Sequence, residues 1–208
     1  MTYLLRHPED VAVRLLQHVE LVGLALAIAF AIALPLGALA ARNDRLRGPL
    51  LGVLGVAYTL PSLAVFALLI PLFGLGLVTT EIALVTYAQM ILVRNIVTGL
   101  RAVPEALRDA ASGLGMTQAQ IFWRVDVPQA LPVIIGGVRL AAIATISIAT
   151  LAGKIDAGGL GALLFAGLDN DDPGRIVAGS VAAATLAIGI DAVLRAAEGI
   201  ARKRARVS

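Results

Sequence analysis

Few side chains in this 208-residue sequence could do covalent or metal chemistry. There is no cysteine, which removes thiolate nucleophiles, disulfides and cysteine-held metals together. The two histidines, His7 and His18, fall before or at the mouth of the first long apolar stretch. They are badly placed to pair with a serine deeper in the chain, and no His-Glu-x-x-His run offers a zinc site, so no metal is expected. The tripeptide Ala152-Gly153-Lys154 lacks the upstream glycine spacing and the Ser or Thr of a phosphate-binding loop; the chain is therefore expected to bind no ATP of its own. In DAGGLGALLFAG, Gly158, Gly159 and Gly161 follow no strand and make no dinucleotide fingerprint. They suit a tight external turn or a segment dipping partway into a bilayer. Buried-charge chemistry remains. Arg139 and Asp191 each interrupt an apolar run, where an ionisable group is costly, and they are read as a structural ion pair. Arg94 and Asn95 close another run, with Arg94 placed to reach the headgroups, and Glu81 is expected to be solvated at an interface.

The elements that must position these residues are set by composition. Hydrophobic residues make up 59% and charged residues 15% of the chain, and the mean hydropathy is +0.89. That is a membrane protein, not a soluble domain. Apolar runs of the roughly 20 residues needed to span a bilayer occur at about 19–41, 50–72, 78–100, 130–152 and 175–196. This predicts an all-α integral membrane protein with five transmembrane helices and one domain over 1–208. The formal charge of +3 and pI near 9.8 sit beside apolar segments, so no nucleic-acid partner follows. Arg42, Arg45, Arg47, Arg101, Arg108, Arg124, Arg195, Arg202, Lys203, Arg204 and Arg206 fall in one set of connections; Arg6, Arg14, Lys154 and Arg175 fall in the other, with Asp156, Asp169, Asp171 and Asp172. The positive-inside rule then puts the N-terminus outside and the C-terminus in the cytoplasm. MTYLLRHPEDVAVRLLQHVE is charged throughout and does not read as a secretory signal peptide. Pro35, Pro61 and Pro71 each remove a helical hydrogen bond and predict kinks, while the dense Ala and Gly of the spans predict close helix packing.

One long polar passage, from about 101 to 129, lies between the third and fourth spans on the cytoplasmic side of this topology. PEALRDAASGL starts with Pro104 at a helix-start position and carries Leu107, Ala110, Ala111 and Leu114 at helical spacing. Gly115 supplies the left-handed stop. Thr117, with Gln120 three residues later, caps a second helix on which Ile121, Phe122 and Val125 face lipid or protein. Pro128 and Pro132 mark the return to the membrane. The passage is a helix, a glycine corner and a helix.

The pattern DAAxxxG, nine residues, VxVP resembles the EAA loop of ABC importer permease subunits, written there as EAAxxxG, nine residues, IxLP. Asp109 stands for the glutamate, Ala110, Ala111, Gly115 and Pro128 match, and Val125 and Val127 stand for Ile and Leu. The resemblance implies that the loop docks in a groove of a separate ATP-binding subunit, which holds ATP and Mg, and that the acidic residue touches that subunit while the glycine makes the bend. TLPSLAVFALLIPLFGLG, VRNIVTGLRAVP, ALPVIIGGVRLA and AGGLGALLFAG are similar to permeases of osmoprotectant importers for glycine betaine, choline or carnitine. Lys154 and Asp156 stand where those permeases have an apolar stretch. Methionine and other small-solute permeases share the loop and the five spans, and remain alternatives.

The resemblance further implies alternating access, an extracytoplasmic substrate-binding protein, a second permease copy or homologue, and a bacterial-type inner membrane. With aromatic residues at only 4%, a methylammonium cage is not expected in this chain, and specificity falls to the receptor. Tyr58, Pro61, Ser62 and Tyr87 are candidate pathway residues, with Gly158, Gly159 and Gly161 at a candidate gate. A small ion channel and a structural membrane anchor are the readings from other classes; neither needs an ATPase partner.

Overall fold

Apolar runs with small residues at helical spacing close into long helices here, because a bilayer leaves backbone groups no other partners. The computed structural model describes residues 2–205, which are mostly helical with no strand among them; Arg206 lies outside them. A short α1 (Thr2–Arg6) precedes α2 (Pro8–Arg42), α3 (Asp44–Thr59), α4 (Ser62–Phe73), α5 (Leu77–Arg101), α6 (Glu105–Gly113) and α7 (Gln118–Ile121). A π turn at Phe122–Asp126 leads into α8 (Val127–Leu151), and a 3-10 turn at Ala152–Ile155 leads toward α9 (Gly159–Asp169) and α10 (Pro173–Ala205).

Four of the five expected spans are single helices: α2, α5, α8 and α10. The remaining one, expected at 50–72 with a kink at Pro61, is a bent pair, α3 and α4, turned by 93°. Pro61 has no N–H and disfavours the α region for its predecessor. Accordingly Leu60 is extended, with ψ 137°. Pro35 and Pro71, by contrast, are carried inside α2 and α4 without ending them.

Packing centres on α5. One face of α2 buries Ala25, Ala29, Ala33, Gly37 and Ala40, and α5 answers with Ala88, Leu92, Val93 and Ile96. A Cβ on Gly37 would stand 2.6 Å from Ile96 Cγ2, so the two helices meet at a distance only glycine permits there. Between the same helices, Gln89 Nε2 donates to the Ala29 carbonyl at 3.0 Å. On the far side of α5, α8 packs by way of Ala130, Ile134 and Ala141, and α10 lies against α8.

The glycine-rich segment becomes α9, whose 11 residues reach only about 17 Å at 1.5 Å per residue, short of a roughly 30 Å core. It packs against α2, α8 and α10 at the Leu77 end of α5. His18, wholly buried, fixes that packing: its Nε2 bonds the Ile146 carbonyl at 3.3 Å, and its Nδ1 accepts from the Leu160 N–H at 3.3 Å. Glu81 departs from expectation. Both of its carboxyl oxygens are buried and without a hydrogen-bond partner, and it lines one cavity with Asp156, Ala157 and Gly158.

Candidate functional site

The polar passage at the Arg101 end of α5 is built almost wholly from local turn chemistry. Pro104 is extended, with ψ 135°, and hands the chain to α6. At the other end of α6, Gly115 takes φ +78°. There the Met116 N–H bonds the Ala111 carbonyl at 3.1 Å, and the Gly115 N–H bonds the Ser112 carbonyl at 2.9 Å. This bond pair is the Schellman closure, in which a left-handed glycine satisfies the last carbonyls of a helix. Thr117 then opens α7 through a capping box: its Oγ1 accepts from the Gln120 N–H at 3.3 Å, and the Gln120 side chain accepts from the Thr117 N–H at 2.8 Å.

Beyond Gln120 the second helix differs from its sequence reading. It does not stop before the membrane segment but runs on through the π turn, so that Gln118–Ile155 forms one rod of 38 residues. Pro128 does not break it, since the missing N–H falls where i−5 bonding, shown by Val127 N–H to the Phe122 carbonyl, gives way to i−4 bonding.

The apolar side of α6 also differs. Ala111 is its one buried residue; Asp109 and Ala110 are exposed, as are Leu107 and Leu114, the latter by 84%. Trp123 on the π turn, not singled out from the sequence, is 60% exposed. Ile121 is buried, while Phe122, Val125, Val127 and Pro128 are partly covered. Small isolated domains rarely leave such residues bare at one end, and a surface of this kind is ready for a partner. Beside it lies a polar cleft of about 780 Å³ that Asp109 lines together with Arg42, Asp44, Arg101, Glu105 and Arg108.

The tyrosines expected along a pathway come together at the α3–α4 bend. The Tyr58 and Tyr87 rings meet edge to face at 6.0 Å. The Tyr87 hydroxyl donates to the Leu60 carbonyl at 2.5 Å, so it partners a backbone group exposed by the break. Pro61 caps α4 and Ser62 is its first residue. Gly158 and Gly159, at φ +76° and +68°, sit elsewhere, at the start of α9. Gly161 is pressed against the α8 backbone, where a Cβ would collide with the Thr150 carbonyl.

Arg139 and Asp191 are joined as expected, at 3.4 Å. Sequence reasoning missed the rest of the network: Arg139 also meets Glu198 at 3.4 Å, Arg195 pairs with Asp191 at 2.5 Å, and Arg202 pairs with Glu198 at 2.7 Å. The i,i+4 spacing within α10 carried that signal.

Bundle, bent pair and capped helix-glycine-helix connection together define a membrane transport subunit. Residues 33–207 match the family of binding-protein-dependent transport system inner membrane components, and the chain belongs to that family, the multi-pass permease subunits of ABC importers. Among relatives, it is 40% identical to an osmoprotectant import permease protein of Salmonella typhimurium over 92% of each chain. It is also 40% identical to a choline transport system permease protein of Bacillus subtilis, over 88% of this chain and 84% of that one. In three dimensions it is similar to a chain of the inward-facing MetNI methionine ABC transporter, with a TM-score of 0.75 at 20% identity, covering 89% of this chain and 95% of that one.

Proposed function

We propose that this permease carries small quaternary ammonium osmoprotectants, of the glycine betaine, choline and carnitine class, into the cytoplasm. The observation that carries the reading is the identity of 40% with an osmoprotectant permease along 92% of both chains. Similarity to the methionine transporter supports the fold alone.

In this reading the N-terminus is outside and the α6–α7 connection is cytoplasmic, as the Lys and Arg distribution supports. Exposed Asp109, Ala110, Leu107 and Leu114 dock in a groove of an ATP-binding subunit, and Gly115 sets the angle at which α6 is presented. ATP and Mg reside on that subunit; this chain contributes no hydrolytic residue. An extracytoplasmic binding protein selects the solute, and a second permease copy or homologue completes the path. Closure of the ATPase pair pushes on α6, and the helices rock between outward and inward openings.

Reconstitution in vesicles with the ATP-binding subunit and receptor tests this. Uptake of labelled choline, glycine betaine or carnitine is expected to require ATP and to be lost in Asp109→Arg. Uptake of methionine with none of these three would overturn the substrate class; uptake without ATP would overturn the mechanism.

A further inference from the structure

Arg108 and Asp126 are the one buried-charge contact in the connection, and nothing in the docking surface accounts for them. Asp126 Oδ1 receives a hydrogen bond from Arg108 Nε at 2.7 Å, and Arg108 Nη2 donates to the Leu100 carbonyl at 2.7 Å. The Asp126 side chain is only 9% exposed. A single guanidinium thus bolts α6 to the last turn of α5 and to the foot of the 38-residue rod that becomes α8. Among the described residues, no other α6 side chain hydrogen-bonds outside its helix, and Ala111 alone is buried. Take Arg108 away and α6 hangs on one alanine and its two chain connections.

The π turn is what makes the contact reachable. Ile121 and Asp126 are both buried; five residues apart on an α-helix they would point about 140° apart. Widening to i→i+5 bonding over Phe122–Asp126 turns the two toward the same side. A π turn weakens local bonding, and such segments concentrate where a particular side chain must be aimed.

We propose that the Arg108–Asp126 pair is the strut that passes displacement of α6 to α5 and α8, distinct from the surface that binds the ATPase subunit. Arg108 and Asp126 are positioning residues in this role, which rests on the docking function proposed above. A guanidinium held at two points, Nε on Asp126 and Nη2 on Leu100, suits it, because a planar group fixed by two bonds resists rotation about the contact better than a single point charge.

The test uses the full complex in vesicles, with choline, glycine betaine and carnitine supplied together as labelled probes. Three quantities are read: affinity for the ATP-binding subunit, ATP hydrolysis, and solute moved per ATP. Asp126→Asn is near isosteric. The double variant Arg108→Leu/Asp126→Leu leaves no buried charge unpaired. Both are expected to keep ATPase-subunit binding within twofold of wild type and to lower solute moved per ATP by at least about fivefold, the low end of ordinary coupling between sites. Asp126→Glu, which keeps the charge, is expected to restore most of it. Asp109→Arg should show the opposite signature, with binding lost first. Unchanged transport per ATP in both strut variants would overturn the proposal, and so would loss of subunit binding in both, which would assign the pair to docking or folding. Wild-type complex that moves no solute with ATP would instead defeat the underlying function.

Discussion

Gly115 and Tyr87 separate what a single residue does from what its motif suggests. At φ +78° Gly115 has open space where a Cβ would go, so the cost of Gly115→Ala is backbone strain alone, about 1–2 kcal/mol. Asn tolerates the same region better; affinity for the ATP-binding subunit should therefore fall in the order Gly, Asn, Ala. An alanine variant that binds as tightly as wild type would show that the corner is not held in the docked state. Tyr87 was a candidate for the solute path, yet its hydroxyl is spent on the Leu60 carbonyl. Tyr87→Phe is expected to lower thermal stability in detergent by about 1 kcal/mol, the net worth of an ordinary hydrogen bond, without changing which solute is carried. A shift in solute preference would return Tyr87 to the path.

Elements show where local sequence carries the answer and where it does not. The glycine corner and the Thr117–Gln120 capping box were legible because every atom of that chemistry lies within a few residues. The α3–α4 bend was legible only in part, since Pro35, Pro61 and Pro71 give the same local signal for a kink and only Pro61 ends a helix; part of the difference is supplied from 27 residues away by Tyr87. Likewise Arg108 and Asp126, 18 residues apart, meet only because a π turn changes register, and residue types alone do not announce that turn. Arg139 and Asp191 were legible because charges within apolar runs demand partners. Glu198 and its arginines extend the pair into a ladder, with a consequence for mutation. In Arg139→Met, Asp191 retains Arg195 and Glu198 retains Arg202, so neither carboxylate is stranded. The loss of stability should be about 1–2 kcal/mol, below the 3–5 kcal/mol of breaking an isolated buried pair. A loss of the larger size, measured by thermal unfolding in detergent, would mean that the exposed arginines do not hold their partners.

For the whole molecule, α3 is the helix that stands most apart from the core. None of its residues is buried, and Val53 and Val56 are each 68% exposed, so this helix adds little to the core of its own chain. If the second permease copy proposed above, and not lipid, covers it, single cysteines at Val53, Val56, Leu63 and Leu68 should cross-link between copies in the assembled complex, against no background from a chain that has no cysteine. Absence of cross-links at all four, with one permease per complex by light scattering, would rule that arrangement out. The rod from Gln118 to Ile155 has a mechanical meaning as well. At 1.5 Å per residue it is about 57 Å long, and its two ends carry the docking connection and the turn that seats α9. Pivoted near its midpoint by the tight packing against α5, such a beam converts a sideways push of about 5 Å at one end into a tilt near 10° and an equal, opposite swing at the other. In the alternating access proposed above, the two faces of the membrane would then be joined by leverage rather than by relay: opening on one side and closing on the other would be a single motion of a single solid part.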